Sequence, residues 1–95
     1  MMNRQQTVEN LKHKLDQWNA DLDRLEAKAD RLNEERRKQL DSTLEILRQK
    51  RETARRSLDS MRSAGDDAFE DLRKGAIQAL DTMQDSLDQA RQRFN

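Results

Sequence analysis

The chain has 95 residues, which allows one small domain with a thin core. Charged residues make up 40% of it and apolar residues only 33%, with no proline, a composition typical of long helices and coiled coils. The lack of cysteine excludes a disulfide framework and a thiolate metal site, and a net charge of zero with sustained heptads argues against disorder.

The first third of the chain carries an apolar residue at every third or fourth position, as in an amphipathic helix. The pattern continues through Arg36 to Leu40 in steps of four, which is typical of a stutter in an unbroken helix. We therefore predict one long helix over about 5–62, roughly 90 Å in length. Its amino-terminal part is the predicted self-association seam: Val8, Leu11, Leu15, Trp18, Leu22, Leu25 and Leu32.

A bend at 33–38 is the alternative, and it would give three helices folded as a bundle. This segment contains no glycine or proline and is rich in good helix formers, so the sequence favours the continuous helix. In a continuous helix the seam within 1–35 has no partner in its own chain, and another chain must bury it. The sequence therefore predicts a homo-oligomer, of undetermined number and strand orientation.

Two apolar stripes run in opposite directions on either side of Gly65. The residue numbers of facing positions sum to 130 or 131, as for Met61 with Phe69. This register predicts an antiparallel hairpin of 36–62 with 67–95, whose returning helix covers about 67–93, within one all-α domain. The predicted hairpin seam is Leu40, Leu44, Leu47, Leu58, Met61, Phe69, Leu72, Leu80, Met83, Leu87 and Phe94.

The two glycines receive separate predictions. Gly65 suits the left-handed residue that follows a helix end, and Asp67 with Glu70 resembles a capping box at the start of the next helix. Gly75 lies inside that helix, at a cost of about 1 kcal/mol relative to alanine. Because its neighbour Ala76 is a seam position, we predict close approach of two helices at Gly75.

Charge changes sign along the chain. Residues 1–35 carry a net charge of −2, residues 36–62 carry +5 and residues 63–95 carry −3. We interpret the basic stretch as neutralised by the acidic residues within 66–88. Binding of a polyanion, either nucleic acid or an anionic membrane surface, is the alternative function. The basic residues concerned are Arg36, Arg37, Lys38, Arg48, Lys50, Arg51, Arg55 and Arg56.

Residues that could perform chemistry are few. His13 is the only histidine and lies two positions after Leu11, so it should face solvent and bind no metal. The carboxylates fall on solvated faces, and no phosphate loop or nucleophile elbow is present. We predict neither enzymatic activity nor a cofactor. Trp18 is interpreted as a core or interface anchor, with ligand stacking as the alternative.

The first ten residues contain no apolar run, and no stretch of 18 apolar residues occurs. Neither a signal peptide nor a membrane span is therefore expected, which makes a cytoplasmic location the default.

Two segments and the closing Arg93-Phe94 resemble a known family. The segments are LKHKLDQWNADLDRLEAKA at 11–29 and AGDDAFEDLRKG at 64–75. They are similar to small bacterial coiled-coil proteins linked to stress responses, of the cyanobacterial and proteobacterial type, although Phe69 stands where a tryptophan is usual. The resemblance implies a helical, soluble, non-enzymatic protein and transfers no catalytic residue. We thus predict a structural or protein-interaction module that acts through self-association, in a stress context by resemblance.

Overall fold

The computed structural model describes residues 3–94, and these residues form a bundle of three helices with no strand. Helix α1 is Arg4–Ala27, α2 is Glu34–Ser63 and α3 is Asp66–Arg93. Successive helices run antiparallel, and the bundle measures 50 × 18 × 16 Å. The predicted all-α class is confirmed, and of the two predicted arrangements the structure has the three-helix bundle.

The chain leaves α1 before the predicted bend. A short 3-10 turn follows α1, Leu32 is extended, and the Asn33 side chain caps α2 by accepting a backbone N–H of its first turn at 2.9 Å. An asparagine cap satisfies one of the unpaired N–H groups at a helix start, so the break requires neither glycine nor proline. The long helix over 5–62 is therefore not formed, and the break lies at 28–33 rather than at 33–38.

The predicted self-association seam is buried within a single chain. Leu22 and Leu25 are at most 1% exposed, and Leu32, beside the break, is half-buried. The break allows α1 to fold back onto the α2 and α3 pair, and all three helices share one core. Apart from Leu32, the seam residues therefore pack against their own chain, where the sequence suggested packing against a second copy. The buried seam residues are Val8, Leu11, Leu15, Trp18, Leu22 and Leu25.

The hairpin of α2 and α3 has the predicted antiparallel register. Met61 and Phe69 are buried beside the turn, and at the other end the Arg36 guanidinium donates to the Arg93 carbonyl at 2.5 Å. Of the predicted hairpin seam only Leu72 is half-buried. The other seam residues are buried: Leu40, Leu44, Leu47, Leu58, Met61, Phe69, Leu80, Met83, Leu87 and Phe94.

The turn between α2 and α3 lies at Gly65, as predicted, but its conformation differs. Ala64 and Gly65 are both extended, with φ of −78° and −70°, so the predicted left-handed glycine is wrong. Two extended residues suffice to reverse the chain here, and Gly65 itself is the N-cap of α3. Because the helix then begins at Asp66, the predicted capping box of Asp67 and Glu70 is not formed.

An arginine in the first turn of a helix closes each end of the bundle. The Arg4 guanidinium donates to carbonyl groups at the end of α2 and lies 4.5 Å from the centre of the Phe69 ring. At the opposite end Arg36 donates to the last carbonyl of α3 and lies 5.6 Å from the centre of the Phe94 ring. Each arginine therefore places positive charge beside carbonyls that lack a partner in their own helix.

Candidate functional site

His13 lies on the exposed side of α1, as predicted. It borders a shallow surface depression together with Gln6 and Glu9. Over residues 3–94, no three side chains of histidine, cysteine, aspartate or glutamate come close enough together to hold a metal ion. The polar face of α1 thus presents a solvated surface rather than an assembled set of ligands.

Trp18 belongs to the core. Its side chain is 2% exposed, and the indole Nε1–H donates to the Met83 carbonyl oxygen of α3 at 2.9 Å. A ring enclosed on both faces has no surface on which a ligand could stack. Trp18 therefore has the anchoring role, the first of the two roles considered from the sequence, and it joins α1 to α3.

The basic residues of α2 find their acidic partners elsewhere than predicted. Arg48 pairs with Glu26 of α1 at 2.8 Å, and Arg55 pairs with Glu52 of its own helix at 2.6 Å. Within residues 3–94, no ion pair joins α2 directly to α3. The predicted neutralisation by 66–88 therefore involves no direct ion pair, and Asp81 of α3 lies instead beside Lys14 of α1.

These ion pairs also shift the titration of one carboxyl group. The Arg55 guanidinium, hydrogen-bonded to Glu52, lowers the pKa of Glu52 below its ordinary value of 4.5. The same hydrogen bond raises the pKa of Arg55. Among the other predicted polyanion-binding residues, Arg36 and Arg37 donate to backbone carbonyls. Six of the eight basic residues therefore have a partner within the chain, and Lys50 and Arg51 take part in no ion pair among residues 3–94.

A long open groove lies between α2 and α3, and α1 contributes no residue to its lining. Its central part has a volume of about 560 Å³, and a smaller part continues from Ile46 toward the end of α3. From Gly75 to Arg93 the groove follows roughly 27 Å of helix, or about five turns. We call it the outer groove, and its lining is Thr43, Ile46, Leu47, Gln49, Lys50, Thr53, Gly75, Gln78, Ala79, Thr82, Met83, Ser86, Gln89, Ala90 and Arg93.

The outer groove differs in charge from the rest of the molecule. It has no acidic lining residue, and its only charged residues are Lys50 and Arg93, in a chain that is 40% charged. Ile46 on its wall is 55% exposed and is the one large apolar side chain exposed over residues 3–94. This combination marks the outer groove as the strongest candidate for a binding surface in the described part of the chain.

Gly75 opens one end of the outer groove. A Cβ atom built at this glycine would meet nothing within 4 Å, so the predicted close approach of two helices of this chain is wrong. The open space arises because Gly75 lies one position before the buried Ala76 and faces the groove. One turn later, Ala79 also contributes only a small side chain to this side of the groove.

Sequence reasoning missed the outer groove, although a signal was present. Immediately before the seam positions of α2 runs a second stripe with the same spacing of three and four, which includes Thr43, Ile46 and Thr53. A matching stripe in α3 includes Gly75 and Ser86. Neither stripe as it lines the groove contains an acidic residue. A search for helix faces that lack acidic residues would have found this surface from the sequence.

No helix within the described residues is both long enough and apolar enough to cross a lipid bilayer. No protein family matches this sequence, and neither the curated proteins nor the solved structures include a match to it.

Proposed function

We propose that this chain is a non-enzymatic protein-interaction module, and that it acts through the outer groove. The observation that carries the proposal is the exposed Ile46 in a wall without acidic residues, on a molecule covered elsewhere by both signs of charge. Exposed apolar surface in contact with water is unfavourable, and a partner that covers Ile46 in this groove buries no carboxylate of the lining. The helical bundle supplies a rigid frame for this surface.

The lining of the outer groove supports the non-enzymatic part of the proposal. It offers hydroxyl and amide groups but no carboxylate or histidine that could act as a general base for them. The groove is also open along its length, so water would remain beside any bound reactant. Its shape and chemistry suit recognition of an extended surface rather than turnover of a small molecule.

The proposal replaces the predicted route of self-association. Burial of the α1 seam leaves the outer groove as the surface for association, and two copies joined face to face through it would bring Lys50 of each chain into the same region. Like charges in one interface cost free energy, so a different protein is the favoured partner. Resemblance to bacterial stress-related proteins remains the basis for a stress context, and the cytoplasmic location remains the default expectation from the sequence.

Affinity capture from an extract of the source cells tests the proposal, with the wild type compared to an Ile46→Glu, Ala79→Glu variant. The matched control is Gln5→Glu, Ala20→Glu, which adds the same charge to exposed positions of α1. We expect proteins retained by the wild type and the control but not by the groove variant. Identical retained proteins in all three samples would contradict the proposal.

The alternative function is tested by direct binding to DNA and to anionic vesicles. We expect no binding at about 150 mM salt, because electrostatic binding to phosphates weakens steeply as salt rises. Binding that is lost on replacing Arg51 and Arg62, a further basic residue of 36–62, with glutamine would instead establish the polyanion-binding function. Light scattering of the wild type measures self-association in the same buffer, and a dimer abolished by Ile46→Glu would make the partner a second copy.

A further inference from the structure

We infer that the outer groove receives a single amphipathic helix whose apolar stripe is flanked by acidic residues, so that α2, α3 and the partner helix pack together. The inference rests on the proposed function, since it names the chemistry of the partner that the groove fits. The length of the groove, the hydrogen bonds of its threonine hydroxyl groups and its charge each support it separately.

The dimensions of the groove match one helix. It follows roughly 27 Å of α3, which is the length of a partner helix of about 18 residues. Two neighbouring antiparallel helices leave such a groove along their outer side, and a further helix that packs there buries its apolar stripe against both. Gly75 and Ala79 lower the wall on α3, which allows the backbone of a partner helix to approach closely.

Three hydroxyl groups of the groove can be covered at little cost. The hydroxyl groups of Thr43, Thr53 and Thr82 each donate to a carbonyl four residues earlier in their own helix, at 3.0, 3.1 and 2.9 Å. A partner that covers them leaves no hydroxyl proton without an acceptor, so the usual penalty for burying a donor is avoided. Their methyl groups add to the apolar surface of Ile46.

Charge decides which helix fits. Lys50 projects from the α2 wall and takes part in no ion pair among residues 3–94, while Arg93 stands at the far end of the α3 wall. In the hairpin register Lys50 lies level with Leu80, so the two cations are separated by about 13 residues, or roughly 20 Å along the groove. No acidic lining residue competes for them. Acidic residues about two heptads apart on the partner would meet both.

Two designed peptides test the inference against the intact protein. Both are three-heptad helices with the same stripe of leucine and alanine, and one has glutamate at every flanking position where the other has lysine. We expect the glutamate peptide to bind at least tenfold more tightly than the lysine peptide in isothermal titration at low salt. The preference should decline as salt rises.

A charge reversal supplies the decisive control. Lys50→Glu should weaken binding of the glutamate peptide and strengthen binding of the lysine peptide, whereas Lys12→Glu, at an exposed position of α1, should change neither. Circular dichroism checks the helical fold of both variants, which we expect to be retained. Equal binding of the two peptides, an unchanged preference in Lys50→Glu, or no binding of either peptide would each overturn the inference. Groove-dependent capture from the cell extract would still support the proposed function in those cases, so the two failures are distinguishable.

Discussion

Replacing Leu15 and Leu22 with glutamate distinguishes the structure from the arrangement first suggested by the sequence. If α1 joined two copies, the double variant would become a folded monomer. In the bundle, however, Leu15 is 5% exposed and Leu22 is fully buried within the same chain. We therefore expect the double variant to unfold.

The expected loss of stability is large compared with what a chain of this size possesses. Removing a buried leucine side chain costs about 2 to 5 kcal/mol, so two such losses remove about 4 to 10 kcal/mol. Each glutamate must in addition be desolvated as a carboxylate or take up a proton, at a further cost. A folded domain of 95 residues has a free energy of unfolding of roughly 5 to 14 kcal/mol, which these losses match or exceed.

Circular dichroism at 222 nm and light scattering measure the two relevant quantities, helix content and molar mass. We expect the Leu15→Glu, Leu22→Glu variant to lose most of its helical signal and its cooperative thermal transition. The control is again Gln5→Glu, Ala20→Glu, which changes exposed positions on the same helix and should melt close to the wild type. A double variant that retains wild-type helicity and melts cooperatively while its molar mass falls to half would refute the reasoning.

Three further predictions follow from individual contacts. Gly75→Ala should raise the free energy of unfolding by about 1 kcal/mol and the melting temperature by about 4 to 8 °C. The reason is that the new methyl group meets no atom within 4 Å. A lower melting temperature would show that the site is crowded. Trp18→Phe should lower the free energy of unfolding by about 1 to 3 kcal/mol in urea titrations followed by circular dichroism. The hydrogen bond to the Met83 carbonyl is lost together with part of the ring. An unchanged unfolding midpoint would contradict the anchoring role of Trp18. The Glu52 carboxyl should titrate below pH 4.5 in carbon NMR and move upward in Arg55→Gln. Because its pKa is lowered in the folded state, any stability from this pair is present above pH 4.5 and is lost as the pH falls through the folded pKa; a titration unaffected by Arg55→Gln would exclude the pair as the cause.

Periodicity predicted the hairpin well because the apolar stripes of both helices can be read directly from the sequence. A buried position in α2 and its partner in α3 are related by a constant sum, so a single turn at Gly65 fixes the register of both helices. The same reasoning could not decide whether α1 continues into α2. The high helix propensity of 34–38 argued against a bend there, and it is equally compatible with the observed structure, in which these residues begin α2 and the break precedes them.

The break was decided by tertiary packing. Asn33 is an ordinary residue in a helix interior but a favourable one at a helix start, and its value depends on whether the chain stops there. Burial of the whole apolar stripe of α1 against α2 and α3 stabilises the conformation in which the helix ends before Asn33. The outer groove was not predicted because a search for residues of known chemistry does not detect a surface that is distinguished by its lack of acidic side chains.

The hydrogen bond of Trp18 has a consequence for how folding can be observed. Trp18 is the only tryptophan in the sequence, and its indole N–H donates to a carbonyl 65 residues further along the chain. Formation of α1 alone leaves the indole in water, so its fluorescence changes only when α1 docks on the hairpin. Far-ultraviolet circular dichroism, by contrast, follows the helices themselves. In stopped-flow refolding the delay between the two signals therefore measures, without any added label, the time by which formation of local helix precedes closure of the bundle.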